Sequence, residues 1–129
     1  MVNGRTLSYV SQKTDELKGT LKRFVQEAKV EESVFKAMLV KMGFSEEDFD
    51  TKLQEMSEGQ KKKVLLAKSI SEQAQLYVWD EPLNYIDILT REQIEECILR
   101  DGPTMVFVEH DERFLKKIAT KMVELERGD

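Results

Sequence analysis

The spacing of apolar residues changes period twice along this chain, and the changes divide it into parts. Leu7 to Val10 form a short apolar-rich run followed by polar Ser11 and Gln12, which predicts a brief strand. Leu17, Leu21, Phe24, Val25 and Ala28 then recur at helical spacing. Val34, Phe35, Met38, Leu39 and Met42 repeat that stripe on a second segment, which Gly43 ends. A third, shorter helix is expected from Ser45, with Phe49 and Leu53 inward. Residues 13–56 therefore read as a small helical unit inserted after the first strand, its Met and Phe stripes serving for packing.

From Ser57 onward helix and strand alternate, the pattern that builds a parallel sheet. A helix is expected over 58–70, a strand from Leu76, and a helix over 90–99 in which Thr90 and Gln93 fit a capping box. Asp101, Gly102 and Pro103 form a turn, and Thr104 to Val108 make a second apolar strand that runs into Glu109, His110 and Asp111. Asp111 can cap a short helix through Ile118, and Lys121 to Leu125 predict a last strand. No internal repeat or low-complexity linker interrupts this order.

The run from Leu76 to Pro82, LYVWDEP, carries the most chemistry. Four apolar residues lead straight into two adjacent carboxylates, as in a strand buried on both faces of a parallel sheet. Asp80 and Glu81 then stand at the carboxyl end, where open α/β sheets bind ligands because the loops there line a crevice. Two carboxylates at that point can hold a hydrated magnesium ion and orient a water, or form no more than a solvated acidic turn. The segment MSEGQ, Met56 to Gln60, is similarly two-sided. Ser57 and Gln60 satisfy a capping box on their own. With the backbone at Gly59 they also make a helix start whose exposed N–H groups and dipole favour a phosphate.

Composition narrows the class. A chain of 129 residues is one domain's worth and buries a moderate core. Hydrophobic content of 40% with 35% charged residues is ordinary for a globular protein. No apolar run approaches the roughly 20 residues of a membrane span, and the amino terminus lacks a signal peptide's apolar segment. A cytoplasmic location is expected, with no membrane partner. The single cysteine, Cys97, excludes an intrachain disulfide and falls in register with Ile94 and Ile98, which places it in the core. The net charge of −5 argues against autonomous binding to nucleic acid. Lys61 to Lys63, the one compact basic run, is expected to be a solvated helix face.

Taken in order, Gln12 after a strand, a helical insert, MSEGQKKKVLLAKS, LYVWDEPLNYID and VFVEHD resemble the Q-loop, signature, Walker B, D-loop and H-switch of ABC-type ATPase domains. GQKKKVLLAKSI with WDEPLNYID and FVEHD looks most like the carboxyl-terminal ATPase domain of ABC-F proteins, within the antibiotic-resistance subgroup that acts on ribosomes. The fold implied is a partial P-loop NTPase core over residues 1–129, with the helical subdomain at 13–56 and the signature helix, Walker B, D-loop and H-switch region at 57–129. The cofactors implied are ATP and magnesium. Glu81 would polarise the attacking water, and Asp80 would hold the magnesium shell. Gln12 would contact the metal or the water, and His110 the γ-phosphate. Asp87 would belong to the D-loop across a dimer interface, or cap the helix near Thr90. Ser57, Gly59 and Gln60 would close on ATP held by a second ABC ATPase domain.

Two departures from the family pattern bear on function. Nowhere does the chain contain G-x-x-x-x-G-K-[ST], the loop whose backbone amides and lysine hold the ATP phosphates, so this portion alone is expected to be inactive. The Walker A strand, its helix and the preceding β subdomain would lie upstream of Met1. Glu58 stands where the family usually has glycine, and would repel a γ-phosphate unless it turns away. The family's topology also implies that the strands near Gln12, Asp80 and His110 stay contiguous without the Walker A strand. Their open edge would then be closed by Lys121 to Leu125 or by a second copy of the chain. Two other functions fit the same residues: a non-enzymatic module that pairs with another ATPase domain or with itself, and an unrelated magnesium-dependent hydrolase built on Asp80, Glu81 and His110.

Overall fold

The computed structural model describes residues 7–11, 13–101 and 105–108. Gln12, Glu109, His110, Asp111 and the predicted strand at 121–125 lie outside the described residues.

Three parallel strands form the sheet: β1 (Leu7–Val10), β2 (Leu76–Asp80) and β3 (Met105–Val108), in the order β1-β2-β3. The register pairs Val10 with Trp79 and Asp80 with Val108, so the strand exits stand almost level. This is the contiguous parallel core expected from the sequence. Between β1 and β2 run α1 (Leu21–Ala28), α2 (Glu32–Lys41), α3 (Glu46–Phe49), a 3-10 turn at Leu53–Glu55 and α4 (Glu58–Ser71). A fifth helix, α5 (Ile88–Asp101), connects β2 to β3.

Local chemistry sets the helix ends. α1 begins four residues later than the start of its apolar stripe, because Gly19 turns with φ +87° and the Thr20 hydroxyl accepts the Arg23 N–H at 3.2 Å as N-cap. Leu17 therefore sits in a turn, its N–H on the Thr14 carbonyl, and still packs against the core. α2 ends as expected at Gly43, whose φ of 100° lets the Phe44 N–H reach the Leu39 carbonyl and the Gly43 N–H the Val40 carbonyl, both at 3.0 Å. Ser45 caps α3 with a full capping box to Asp48.

The core joins the helical unit to the sheet. Phe35 and Leu39 from α2, Met42 at its C-cap, Leu53, Val64, Leu66 and Ala67 around α4, Trp79 from β2 and Ile94 from α5 are all buried. Cys97 is buried, as its register implied. β2 is deeply buried on the face of Tyr77 and Trp79, while Leu76, Val78 and Asp80 are half-buried. On β1, Ser8 and Val10 face inward and Leu7 and Tyr9 are exposed. A buried polar knot pins α4 to both strands: the Ser8 and Ser69 hydroxyls share a hydrogen bond, Ser8 donates to the Glu72 carboxylate, and the Trp79 indole N–H donates to the Ser69 Oγ at 2.8 Å.

Candidate functional site

Asp80 is the last residue of β2 and is half-buried at the carboxyl edge of the sheet. Glu81 leaves the strand with φ 52°, and Tyr85 follows at φ 67°. Neither is glycine, and such conformations cost on the order of 1–3 kcal/mol each, a strain that concentrates at functional sites. Two tight turns hold the segment in this shape: the Asn84 N–H donates to the Glu81 carbonyl at 3.3 Å, and the Ile86 N–H to the Leu83 carbonyl at 3.2 Å.

The start of α4 meets this turn. Ser57 is the N-cap; its hydroxyl accepts the Gln60 N–H at 3.1 Å, and the Gln60 amide oxygen accepts the Ser57 N–H at 3.0 Å. The Gln60 side-chain amide also donates to Asp48 at 3.1 Å, tying the helix start to α3. Gly59 is there because of space: a Cβ at this position would lie 2.8 Å from the Tyr85 carbonyl oxygen. The Glu58 side chain is engaged by its neighbours. Its carboxylate accepts from the buried Thr14 hydroxyl and lies 3.6 Å from the Lys61 ammonium. Among the described residues the Glu58 and Gly59 amides have no acceptor, which leaves two donors at the positive end of the helix dipole.

The basic run differs from expectation. Lys62 is only 1% exposed, and Lys61 and Lys63 are half-buried, so these residues do not form a solvated face. Lys62 shares a helix face with Leu66 and Ser69, both buried, and its long stem carries the ammonium through the core to the strand ends. There it donates to the Ser11 carbonyl at 3.1 Å and to the Asp80 carbonyl at 3.5 Å. Lys63 donates to the Met42 carbonyl at 2.8 Å and pairs with Asp87 at 2.9 Å.

Asp87 is the N-cap of α5, in place of the capping box expected at Thr90 and Gln93. Its carboxylate accepts the Thr90 N–H at 3.0 Å and the Thr90 hydroxyl at 2.9 Å, and that hydroxyl also lies 3.3 Å from the Met42 carbonyl. An aspartate three residues ahead outcompetes the threonine because it satisfies two donors at once. Partial burial pushes the Asp87 carboxyl up, but the Lys63 ammonium and the two Thr90 donors together lower it from 3.8 to about 2.

The structure thus gathers Ser57, Gly59, Gln60, Asp80, Glu81 and Asp87 at one end of the sheet, and adds Thr14, Lys62 and Lys63, which sequence reasoning missed. The register of Lys62 with Leu66 and Ser69 was the available signal. Gln12 and His110 lie outside the described residues. Among the described residues no group of three or more His, Cys, Asp or Glu could hold a metal ion. The donor set fits one edge of a Mg·ATP: two free amides at a helix start, and an aspartate at a strand end.

An all-parallel sheet with acids at a strand exit, facing a capped and close-packed helix start, makes an α/β arrangement of the kind found in the P-loop NTPase domains that share this fold. The family model described as ABC transporter matches residues 2–84. This chain belongs to that family, within its ATPase domain. The ABC transporter ATP-binding protein YfmR of Bacillus subtilis (strain 168) is 37% identical over 93 residues, a match that covers 72% of this chain and 14% of the relative. ABC transporter F family member 2 of Arabidopsis thaliana is 33% identical over 93 residues, again 72% of this chain and 14% of the relative. The chain therefore spans about 14% of the length of these curated relatives. A crystal structure of the archaeal ribosome recycling factor aABCE1, in complex with the ribosomal stalk protein aP1, superposes with a TM-score of 0.66 over 88% of this chain and 23% of its own, at 22% identity. The likeness to that structure is one of fold. Among the described residues no helix is long and apolar enough to cross a membrane.

Proposed function

We propose that this chain is the clamp and water-activating part of an ABC-F type ATPase, which in its intact form binds and hydrolyses ATP and acts on the ribosome in antibiotic resistance, in the cytoplasm. The observation that carries it is the joining of the α4 start to the acidic turn, with Gly59 against the Tyr85 carbonyl and Asp80 and Glu81 at the strand exit. Both ABC-F relatedness and the fold of a ribosome recycling factor support the ribosomal role.

Bound Mg·ATP would supply the transferable phosphoryl group and the charge that neutralises its oxygens. In an intact domain Glu81 orients a water and accepts its proton at the carboxylate, while Asp80 holds the metal's water shell. Gln12 and His110 are the partners proposed for metal and γ-phosphate. The Glu58 and Gly59 amides, with Ser57 and Gln60 keeping the helix start rigid, donate to a γ-phosphate held by a second ATPase domain. The Thr14 bond keeps the Glu58 carboxylate out of that path. Asp87 keeps the loop between β2 and α5 in register with α4 through Lys63.

The test is phosphate release from Mg·ATP by the chain alone and with full-length Bacillus subtilis YfmR as the second ATPase. Background turnover alone, and a rise above the YfmR rate that Gly59→Asp abolishes, support the proposal. Turnover by the chain alone that disappears in Glu81→Gln would support the independent hydrolase instead. A non-enzymatic pairing module is favoured by the exposed Tyr85, Ile88 and Leu89 beside the clamp. It would show as binding to YfmR with no change in rate.

A further inference from the structure

Lys62 is a buried cation that the proposed chemistry does not use. It projects from α4 into the core, and among its partners are the main-chain carbonyls of Ser11, the first residue after β1, and Asp80, the last of β2. β1 and β2 pair in parallel with Val10 opposite Trp79, so Ser11 and Asp80 are the matching positions one step beyond the last paired residues. The recorded pairing of β1 with β2 ends there, and one ammonium bonds to both chains. The neighbouring contacts fasten the same corner. The Thr14 hydroxyl binds Glu58 on α4, and the Lys13 N–H donates to the Ser11 Oγ at 3.1 Å.

An ammonium with less than 2% exposure is expensive to bury, and a leucine or methionine would fill the space without that cost. Packing therefore does not account for a lysine at this position. We infer that Lys62 is a positioning residue: it holds the carboxyl ends of β1 and β2 at a set separation, so that the Asp80–Glu81 turn leaves the sheet in one geometry relative to the loop after β1. What is positioned rests on reading Asp80 and Glu81 as the metal and water residues; that Lys62 positions it does not.

Amide hydrogen exchange on this chain separates the two. Lys62→Met removes the charge and donors at nearly the same length. It should speed exchange about tenfold or more at Lys13, at Glu81 and over 83–86, while the Tyr77 and Trp79 amides inside the sheet keep their rates. Lys62→Arg, which keeps charge and donors, should return those loops to within about threefold of the wild-type rate. Uniform acceleration across the sheet would mean a purely structural lysine, and unchanged loops no role at all; either overturns the proposal. If Lys62→Met does not fold, lysine-15N spectra of the wild-type chain decide. A buried, bonded Lys62 ammonium gives a protected signal, and its absence overturns the inference. None of these readings depends on ATP turnover, so failure of the ATPase proposal appears separately, in the YfmR assay.

Discussion

Gly59→Ala is the substitution whose sign is most diagnostic. Inside a helix, alanine in place of glycine normally stabilises by roughly 0.5–1 kcal/mol, because glycine loses more backbone freedom on folding. Gly59 is the second residue of α4 and has no unusual φ to protect. Considered locally, the substitution should help. The obstacle is the Tyr85 carbonyl oxygen, 2.8 Å from where the new Cβ would stand. It is a backbone atom in a segment pinned by two turn hydrogen bonds, so it cannot swing aside as a side chain would. Overpacking of this kind costs about 1–3 kcal/mol. Subtracting the helix gain leaves a net destabilisation centred near about 1 kcal/mol, within a range of about 0–2.5. Urea unfolding followed by tryptophan fluorescence reads it directly, since Trp79 is buried: the midpoint should fall with the slope unchanged. A midpoint that rises would refute the close approach of α4 to the acidic turn.

Other consequences are independent of that one. Ser69→Ala removes the oxygen that accepts the buried Trp79 indole N–H and one of the two partners of the Ser8 hydroxyl, which keeps Glu72, and should cost about 1–3 kcal/mol in the same unfolding assay. Phe35→Ala empties a fully buried site between the helices and should cost about 3–5 kcal/mol, enough to broaden or abolish the thermal transition. Asp87→Asn keeps one capping oxygen but loses the charge pair with Lys63 and one of the two Thr90 acceptors; because the aspartate side chain is half exposed and water can replace the lost partner, at neutral pH the loss should stay near about 1 kcal/mol. Its pH dependence has a definite sign. The folded carboxyl titrates near 2 and the unfolded near 3.8, so the wild-type advantage is complete above about 4 and vanishes as pH falls toward 2. Unfolding free energies of wild type and Asp87→Asn should therefore converge in acid and separate in the neutral range.

Much of the fold was legible because apolar period and punctuation agree. The run ending at Asp80, the stop at Gly43 and the caps at Ser45 and Ser57 each rest on local chemistry that tertiary contacts left in place. Where local signals compete, the pattern misleads. The stripe through Leu17 predicts helix, but Gly19 and Thr20 restart the chain. Thr90 looks like a cap until Asp87, three residues ahead, takes its donors. Lys61 to Lys63 were the clearest failure. A charged run reads as solvated because burial of an ammonium is costly, and the compensating acceptors are main-chain carbonyls of Ser11, Met42 and Asp80 that carry no sequence signal. For the same reason the acids at Asp80 and Glu81 were visible from sequence, while the lysine that braces their backbone was not.

The central proposal is that this chain completes a nucleotide site held by another ATPase domain. Phosphate release from Mg·ATP, measured for the chain alone and then with YfmR, addresses that point most directly. The expected result is background release alone and a rate above that of YfmR in the mixture, lost when Gly59 is replaced by aspartate. Sustained release by the chain alone would contradict it.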